Sequence, residues 1–302
     1  MKSKLILIGI ALAFLFLLLA VLPLQSRYCH SGDISIYYED YGRKDATAIV
    51  FIHGWSCDHT VWRLQVQELR KNYRLIIVDL PGCGLSSKPA NVAYTPEYLA
   101  DAVNSVMSDA GIKQAVLVGH SSGFAVTRRF AIKYPEKTAA ICDVDGVFMD
   151  LAWDPKALEA FKSEMDTFMK GLKGKDRDEF VRWFVSMTFY GKTPEPLQKE
   201  IMALMTKANV YAANSAMEEM WRPREWERAV VKAPMLAIYA KIPELPADEE
   251  AQLRVQFPNL TYIEWDDTGH FLMMQHSERF NKLLSEYANE VLFSIKSEGE
   301  VK

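Results

Sequence analysis

Residues 115–124 read AVLVGHSSGF. Ala115 to Val118 is a short unbroken apolar run rich in β-branched residues, the pattern of a strand buried on both faces. Ser122 to Tyr134 (SGFAVTRRFAIKY) continues as a helix. Between them Gly119-His120-Ser121-Ser122-Gly123 makes a G-x-S-x-G. Glycines two residues to either side of Ser121, where a strand turns sharply into a helix, let neighbouring chain approach a pinched backbone. Such a turn lifts Ser121 Oγ above the sheet edge. It also aims the N–H of Ser122, at the helix N-terminus, towards negative charge developing on a substrate oxygen. A pentapeptide of this kind recurs by chance; the strand before it and the helix after it give it weight.

Working outward, apolar runs at Ala48 to Ile52 (AIVFI), Arg74 to Leu80 (RLIIVDL), Ala139 to Val144 (AAICDV), Met235 to Ala240 (MLAIYA) and Leu260 to Trp265 (LTYIEW) read as further strands. Helical patterns separate them. Thr60 to Lys71 is amphipathic, and Thr95-Pro96-Glu97 opens a helix ending at Gly111 with a cap, a proline in the first turn and an acid near the positive end. Asp248 to Gln256 and the stretch from Ser277 onward are also helical. Strands alternating with helices predict an α/β fold with a doubly wound, mostly parallel sheet, whose catalytic loops lie at the carboxyl ends of its strands. Asp33 to Tyr41 alternates as edge strand, and the polar residues before it read as a linker.

From about residue 147 to 228 the pattern is helix after helix: Phe161, Met165, Phe168 and Met169; Phe180, Trp183, Phe184 and Met187; Leu197, Ile201, Leu204 and Met205. Eight of the thirteen methionines and four of the seven tryptophans fall in this insertion. That exceeds what a small helical unit needs for its own core, so the insertion is expected to roof an apolar pocket.

The chain resembles the α/β-hydrolase family over about residues 33–295, through His53-Gly54-Trp55, Asp79 to Ser86 (DLPGCGLS), the GHSSG and Thr268 to Phe271 (TGHF), in the family's order. The resemblance implies the α/β-hydrolase fold with an inserted helical cap at about 147–228. It implies an oxyanion hole from the amides of Trp55 and Ser122, with His53 holding its loop. It makes His270, alone among six histidines, the base following the last strand. Most relatives carry an aspartate after the strand at Met235 to Ala240, yet Lys241, Ile242 and Pro243 stand there. A minority take the acid after the preceding strand, where Asp145 stands with Gly146 to turn the chain; Asp145 is favoured, with Glu244, Asp248, Asp143 or no acid at all as alternatives. Asp79 reads as structural. The resemblance would also bring Cys57 and Cys83 near one sheet edge, leaving a disulfide open.

These parts imply a serine hydrolase acting on a small to medium apolar carboxylic ester, with neither metal nor organic cofactor. Serine rather than aspartate at position 121 argues against haloalkane or epoxide chemistry. C–C bond, lactone or peptide hydrolysis and acyl transfer fit the same residues, as does a ligand-binding relative with little turnover. A net charge of −4 over 302 residues, with no long basic run, gives nucleic acid no footprint. Met1-Lys2-Ser3-Lys4 followed by apolar Leu5 to Leu22 reads, within residues 1–26, as a signal peptide or membrane anchor. It would place the catalytic domain of residues 27–302 outside the cytoplasm.

Overall fold

The apolar runs assemble into one eight-stranded sheet of order β1-β2-β4-β3-β5-β6-β7-β8. The structure is a computed structural model describing residues 25–146, 155–222, 224, 229–242 and 249–300. In chain order the strands are β1 (Gln25–Ser31), β2 (Ile34–Tyr41), β3 (Ala48–Ile52), β4 (Arg74–Val78), β5 (Ala115–His120), β6 (Thr138–Val144), β7 (Met235–Ala240) and β8 (Leu260–Trp265). β1 and β2 run antiparallel to their neighbours, while β4, β3, β5, β6, β7 and β8 pair in parallel. This is the expected mostly parallel sheet of the α/β-hydrolase fold.

The helices are α1 (Arg63–Leu69), α2 (Pro96–Asp109), α3 (Ser122–Lys133), α4 (Pro155–Lys173), α5 (Arg177–Met187), α6 (Glu195–Met205), α7 (Val210–Met220), α8 (Glu249–Gln256), α9 (Leu272–Gln275) and α10 (Ser277–Glu300). Alternate residues of each central strand feed two cores, as the two-residue period of a strand requires. Phe51, Ile77 and Val118 join Trp62, Phe280 and Leu284 on one face. Val50, Ile76 and Leu117 join Leu99, Val103 and Phe130 of α2 and α3 on the other. Burial on both faces is what keeps these strands apolar throughout.

Among the described residues four helices, α4 to α7, lie between β6 and β7, where helices were expected. The apolar stripe of α5 differs from expectation: Val181 and Val185 are buried, whereas Trp183 and Met187 are 53% and 58% exposed. α7 carries no strong apolar period, because Ala212, Ala213 and Ala216 line its inner side; Asn209 caps it, accepting from Ala212 N–H at 2.9 Å.

The linker expected before residue 33 is instead β1. Ser31 pairs with Ile34 across a two-residue turn, and Gly32 at φ +59 supplies the positive dihedral that such a turn needs. Cys29 is buried while Tyr28 and His30 are exposed, so this edge strand buries too little to show as an apolar run.

The leader expected at residues 1–26 falls almost wholly outside the described residues, as do Glu244 and Asp248. Among the described residues no helix is long and apolar enough to cross a membrane. All four cysteines are free thiols, so Cys57 and Cys83 are not bridged. Burial pushes both thiols up, that of Cys83 to about 12, which keeps them protonated at neutral pH.

Candidate active site

Ser121 sits between β5 and α3 at φ 54, ψ −125, a strained backbone for a non-glycine residue. The pinch is held by close packing. A Cβ on Gly123 would lie 2.6 Å from the Ile52 carbonyl oxygen, and one on Gly54 would lie 2.9 Å from Ser121 Cβ. The loop after β3 therefore presses on the elbow, which is why both positions exclude a side chain. Among the described residues the amides of Trp55 and Ser122 donate to no protein acceptor, and both stand beside Ser121.

The histidines divide by environment. His53 is fully buried; its Nε2 accepts from Leu80 N–H at 3.1 Å, which leaves Nδ1–H to donate to the Gly54 carbonyl at 2.9 Å. It thus ties the loop after β3 to the loop after β4, in the scaffold role expected of it. His59 and Asp79 form a second pair at 2.9 Å, and Asp79 also accepts the backbone N–H groups of His59 and Leu85.

Burial alone would push the His59 imidazole down, but the hydrogen bond and charge of Asp79, joined by Glu39 and Asp58, carry it up. Burial likewise opposes the Asp79 carboxylate, yet His59 and His53 hold it below its ordinary value. A raised histidine stabilises the fold fully below its unfolded value near pH 6.5 and loses that contribution as pH rises through the folded one. Asp79 sets the acid limit, its contribution fading as pH falls through its depressed value. The melting temperature of the wild type should exceed that of His59→Gln by more at about pH 5.5 than at about pH 8.5, by roughly 2–4 °C. Equal gaps at both pH values would remove the ion pair from the account.

His270 follows β8, and its Nδ1 lies 2.5 Å from Asp145 Oδ2. A carboxylate only accepts, so Nδ1 carries the proton and Nε2 is left with its lone pair. Asp145 is itself pinned: its backbone N–H donates to the Ile238 carbonyl at 2.8 Å, and its Oδ1 accepts from Ala240 N–H at 2.7 Å. The turn expected at Gly146 is made by Asp145, whose φ is +48. Asp143 is buried elsewhere, accepting from Tyr239 Oη–H at 2.7 Å, and burial raises its carboxyl well above the usual range.

Three contacts had no signal in the sequence. His120 Nε2–H donates to the His270 carbonyl at 3.0 Å, fixing the loop that carries the imidazole. The turn after α5 touches both catalytic candidates: His270 N–H donates to the Thr188 carbonyl at 3.0 Å, and Tyr190 Oη–H reaches Asp145 Oδ2 at 3.5 Å. Such contacts between residues distant in sequence leave no local pattern.

Ser121 and His270 line one cavity of about 250 Å³, with no direct hydrogen bond between Oγ and Nε2. Phe184, Met187, Met205, Met217, Met220 and Trp221 of the insertion form its apolar wall. The methionine-rich segment thus does roof an apolar space over the serine.

Residues 49–283 match the sequence profile of the alpha/beta hydrolase family. An AB hydrolase superfamily protein, YisY of Bacillus subtilis (strain 168), is 25% identical over 270 residues, 85% of this chain and 96% of its own. The pimeloyl-[acyl-carrier protein] methyl ester esterase of Legionella pneumophila (strain Corby) is 23% identical, over 84% of this chain and 99% of its own. Among solved structures, an esterase from Exiguobacterium antarcticum superposes with a TM-score of 0.76 at 20% identity, covering 88% of this chain and 100% of its own. With the sheet order, the strained serine turn and a match over most of its length in agreement, the chain belongs to the alpha/beta hydrolase family.

Proposed function

We propose that this protein is a serine hydrolase that cleaves carboxylic esters through Ser121, His270 and Asp145. The observation that carries the reading is the shared cavity, in which a strained serine and an imidazole fixed by a buried carboxylate border the same apolar space. His270 Nε2 takes the proton of Ser121 as Oγ attacks the acyl carbon, and Asp145 stabilises the imidazolium so formed. The amides of Trp55 and Ser122 stabilise the oxyanion. The imidazolium returns its proton to the departing alkoxide, leaving an acyl group on Ser121. Water, deprotonated by the same imidazole, attacks the acyl carbon, and the imidazolium returns the proton to Ser121 Oγ as the acyl–Oγ bond breaks and the acid leaves.

Relatives described as a methyl ester esterase and as Lipase 1 of Psychrobacter immobilis support an ester as the substrate. The mostly apolar cavity supports an apolar group on that ester. An acyl-enzyme has a kinetic signature. With added methanol, esters sharing one acyl group but differing in leaving alcohol should give the same ratio of methyl ester to acid, since all pass through one intermediate. A ratio that changes with the leaving group would contradict the covalent route.

A further inference from the structure

Asp145 is buried, and an ionised carboxylate offers acceptor sites on both of its oxygens. Oδ1 takes the Ala240 N–H at 2.7 Å and Oδ2 takes His270 Nδ1–H at 2.5 Å, which leaves a second lone pair on Oδ2 shielded from bulk water. A buried acceptor site left empty costs stability, so one more donor is favoured there. Tyr190 Oη–H is that donor, at 3.5 Å.

The chain is bent to bring the hydroxyl to this place. Tyr190 has φ +50, in the left-handed region that a bulky aromatic residue seldom occupies, and Gly191 follows at φ +65. Such strain persists only where the surroundings over-determine it. They do so here on both sides of the tyrosine. The Thr188 carbonyl accepts from His270 N–H at 3.0 Å, the Lys192 carbonyl accepts from Gln275 Nε2–H at 3.1 Å, and Lys192 Nζ donates to the Lys241 carbonyl at 2.8 Å. A Cβ on Gly269 would lie 2.8 Å from the Phe189 carbonyl oxygen, so the loop that carries His270 packs directly on the turn. Tyr190 also borders the large cavity, three residues beyond Met187 of its apolar wall.

Resting on the hydrolase reading above, we infer that Tyr190 is a positioning residue of the triad, whose hydroxyl shares Asp145 Oδ2 with His270 and so moderates the hold of the carboxylate on the imidazolium. A donor on the carboxylate draws off part of the charge that favours the protonated ring. With the hydroxyl present the imidazole gives up its second proton at lower pH and is free to act as base; without it the imidazolium is held more tightly. Burial and the charge of Asp145 push the Tyr190 phenol up, so it keeps the proton it donates.

Other groups face the same pair. His120, on β5, is pushed well down by burial and by His270 beside it, while Asp143 on β6 and Tyr239 on β7 are pushed well up by burial, so none of the three changes charge near neutral pH. Glu249, which opens α8, is raised to about 7 by burial and by the charge of Asp145, and titrates in the working range. Lys192 on the turn, Lys241 after β7, and Asp267, which accepts from Arg279, on the His270 loop are common to every variant compared below.

Tyr190→Phe removes the hydroxyl and keeps the ring, and Glu249→Gln removes the competing titration. The test therefore compares the full chain carrying Glu249→Gln with and without Tyr190→Phe, following kcat/KM on a p-nitrophenyl ester from roughly pH 5 to 9, since that profile reports the free enzyme's base. The acid limb should move to higher pH by about half a unit or more, roughly threefold in proton affinity, with KM changed less than about twofold. The His270 ring resonances, titrated by NMR on protein labelled with 13C-histidine, should move by the same amount, a readout that needs no turnover. A limb and a ring titration that stay in place while the plateau falls would make the contact merely structural, and a change in KM alone would make Tyr190 a substrate contact. Either result would overturn the inference and leave the hydrolase reading standing. Absence of Ser121-dependent turnover at every pH would instead bring down the hydrolase reading and this assignment together.

Discussion

Replacing Ser121 by alanine is expected to lower kcat on an ester that the wild type turns over by about a millionfold, with KM little changed. A serine hydrolase stripped of its nucleophile retains only what the oxyanion donors and binding supply, and losses near that size accompany removal of the serine in comparable triads. The apolar wall of the cavity is contributed by the insertion and by Phe271, so substrate binding survives the loss of one hydroxyl. The variant should fold, because alanine meets the same backbone demand at φ 54 and Oγ makes no capping hydrogen bond in the turn. Steady-state kinetics on purified protein checks it. A loss of less than about a hundredfold would mean that another group carries the reaction.

The second large effect is expected at Asp145, where asparagine should lower kcat about ten-thousandfold. The hydrogen bonds of this protein supply the reason. One Asp145 oxygen accepts from the Ala240 backbone N–H and the other from His270 Nδ1. An asparagine keeps its carbonyl on the Ala240 amide and so turns its NH2 towards His270. Nδ1 must then accept, the ring proton moves to Nε2, and the nitrogen that should deprotonate Ser121 is blocked. Asparagine tolerates the left-handed backbone at this position, so the fold is retained. Glu244→Gln should change kcat by less than about threefold. If the two results were exchanged, the acid would have to be moved to Glu244.

How much of this was legible in the sequence depended on what each element buries. The parallel strands β3 to β7 are sandwiched between helices and therefore appear as unbroken apolar runs. β1 buries chiefly Cys29 at the sheet edge, so it reads as polar linker until the Gly32-Asp33 turn is recognised. α7 falls within the stretch read as helical, but its own apolar period is weak because alanines, set close to Gly82 and Trp55, share its inner face with Met217 and Met220. The heavy methionine content of the insertion pointed correctly to an apolar roof, yet the exposed Trp183 shows that helical spacing alone does not say which aromatics face inward. Asp145 stood out as a carboxylate at a strand end, but the strain there falls on the aspartate and not on the glycine after it. The bond from His120 to the His270 carbonyl joins residues 150 apart, and only the assembled sheet brings them together.

The central claim is that the His270 imidazole makes the Ser121 hydroxyl reactive. Labelling the full chain with a fluorophosphonate and mapping the adduct by peptide mass spectrometry tests it directly, since such reagents capture an activated serine. The account predicts a single phosphonylated residue, Ser121, formed at a rate that falls at least a thousandfold in His270→Ala. An adduct on another residue, or a labelling rate indifferent to the loss of His270, would contradict it.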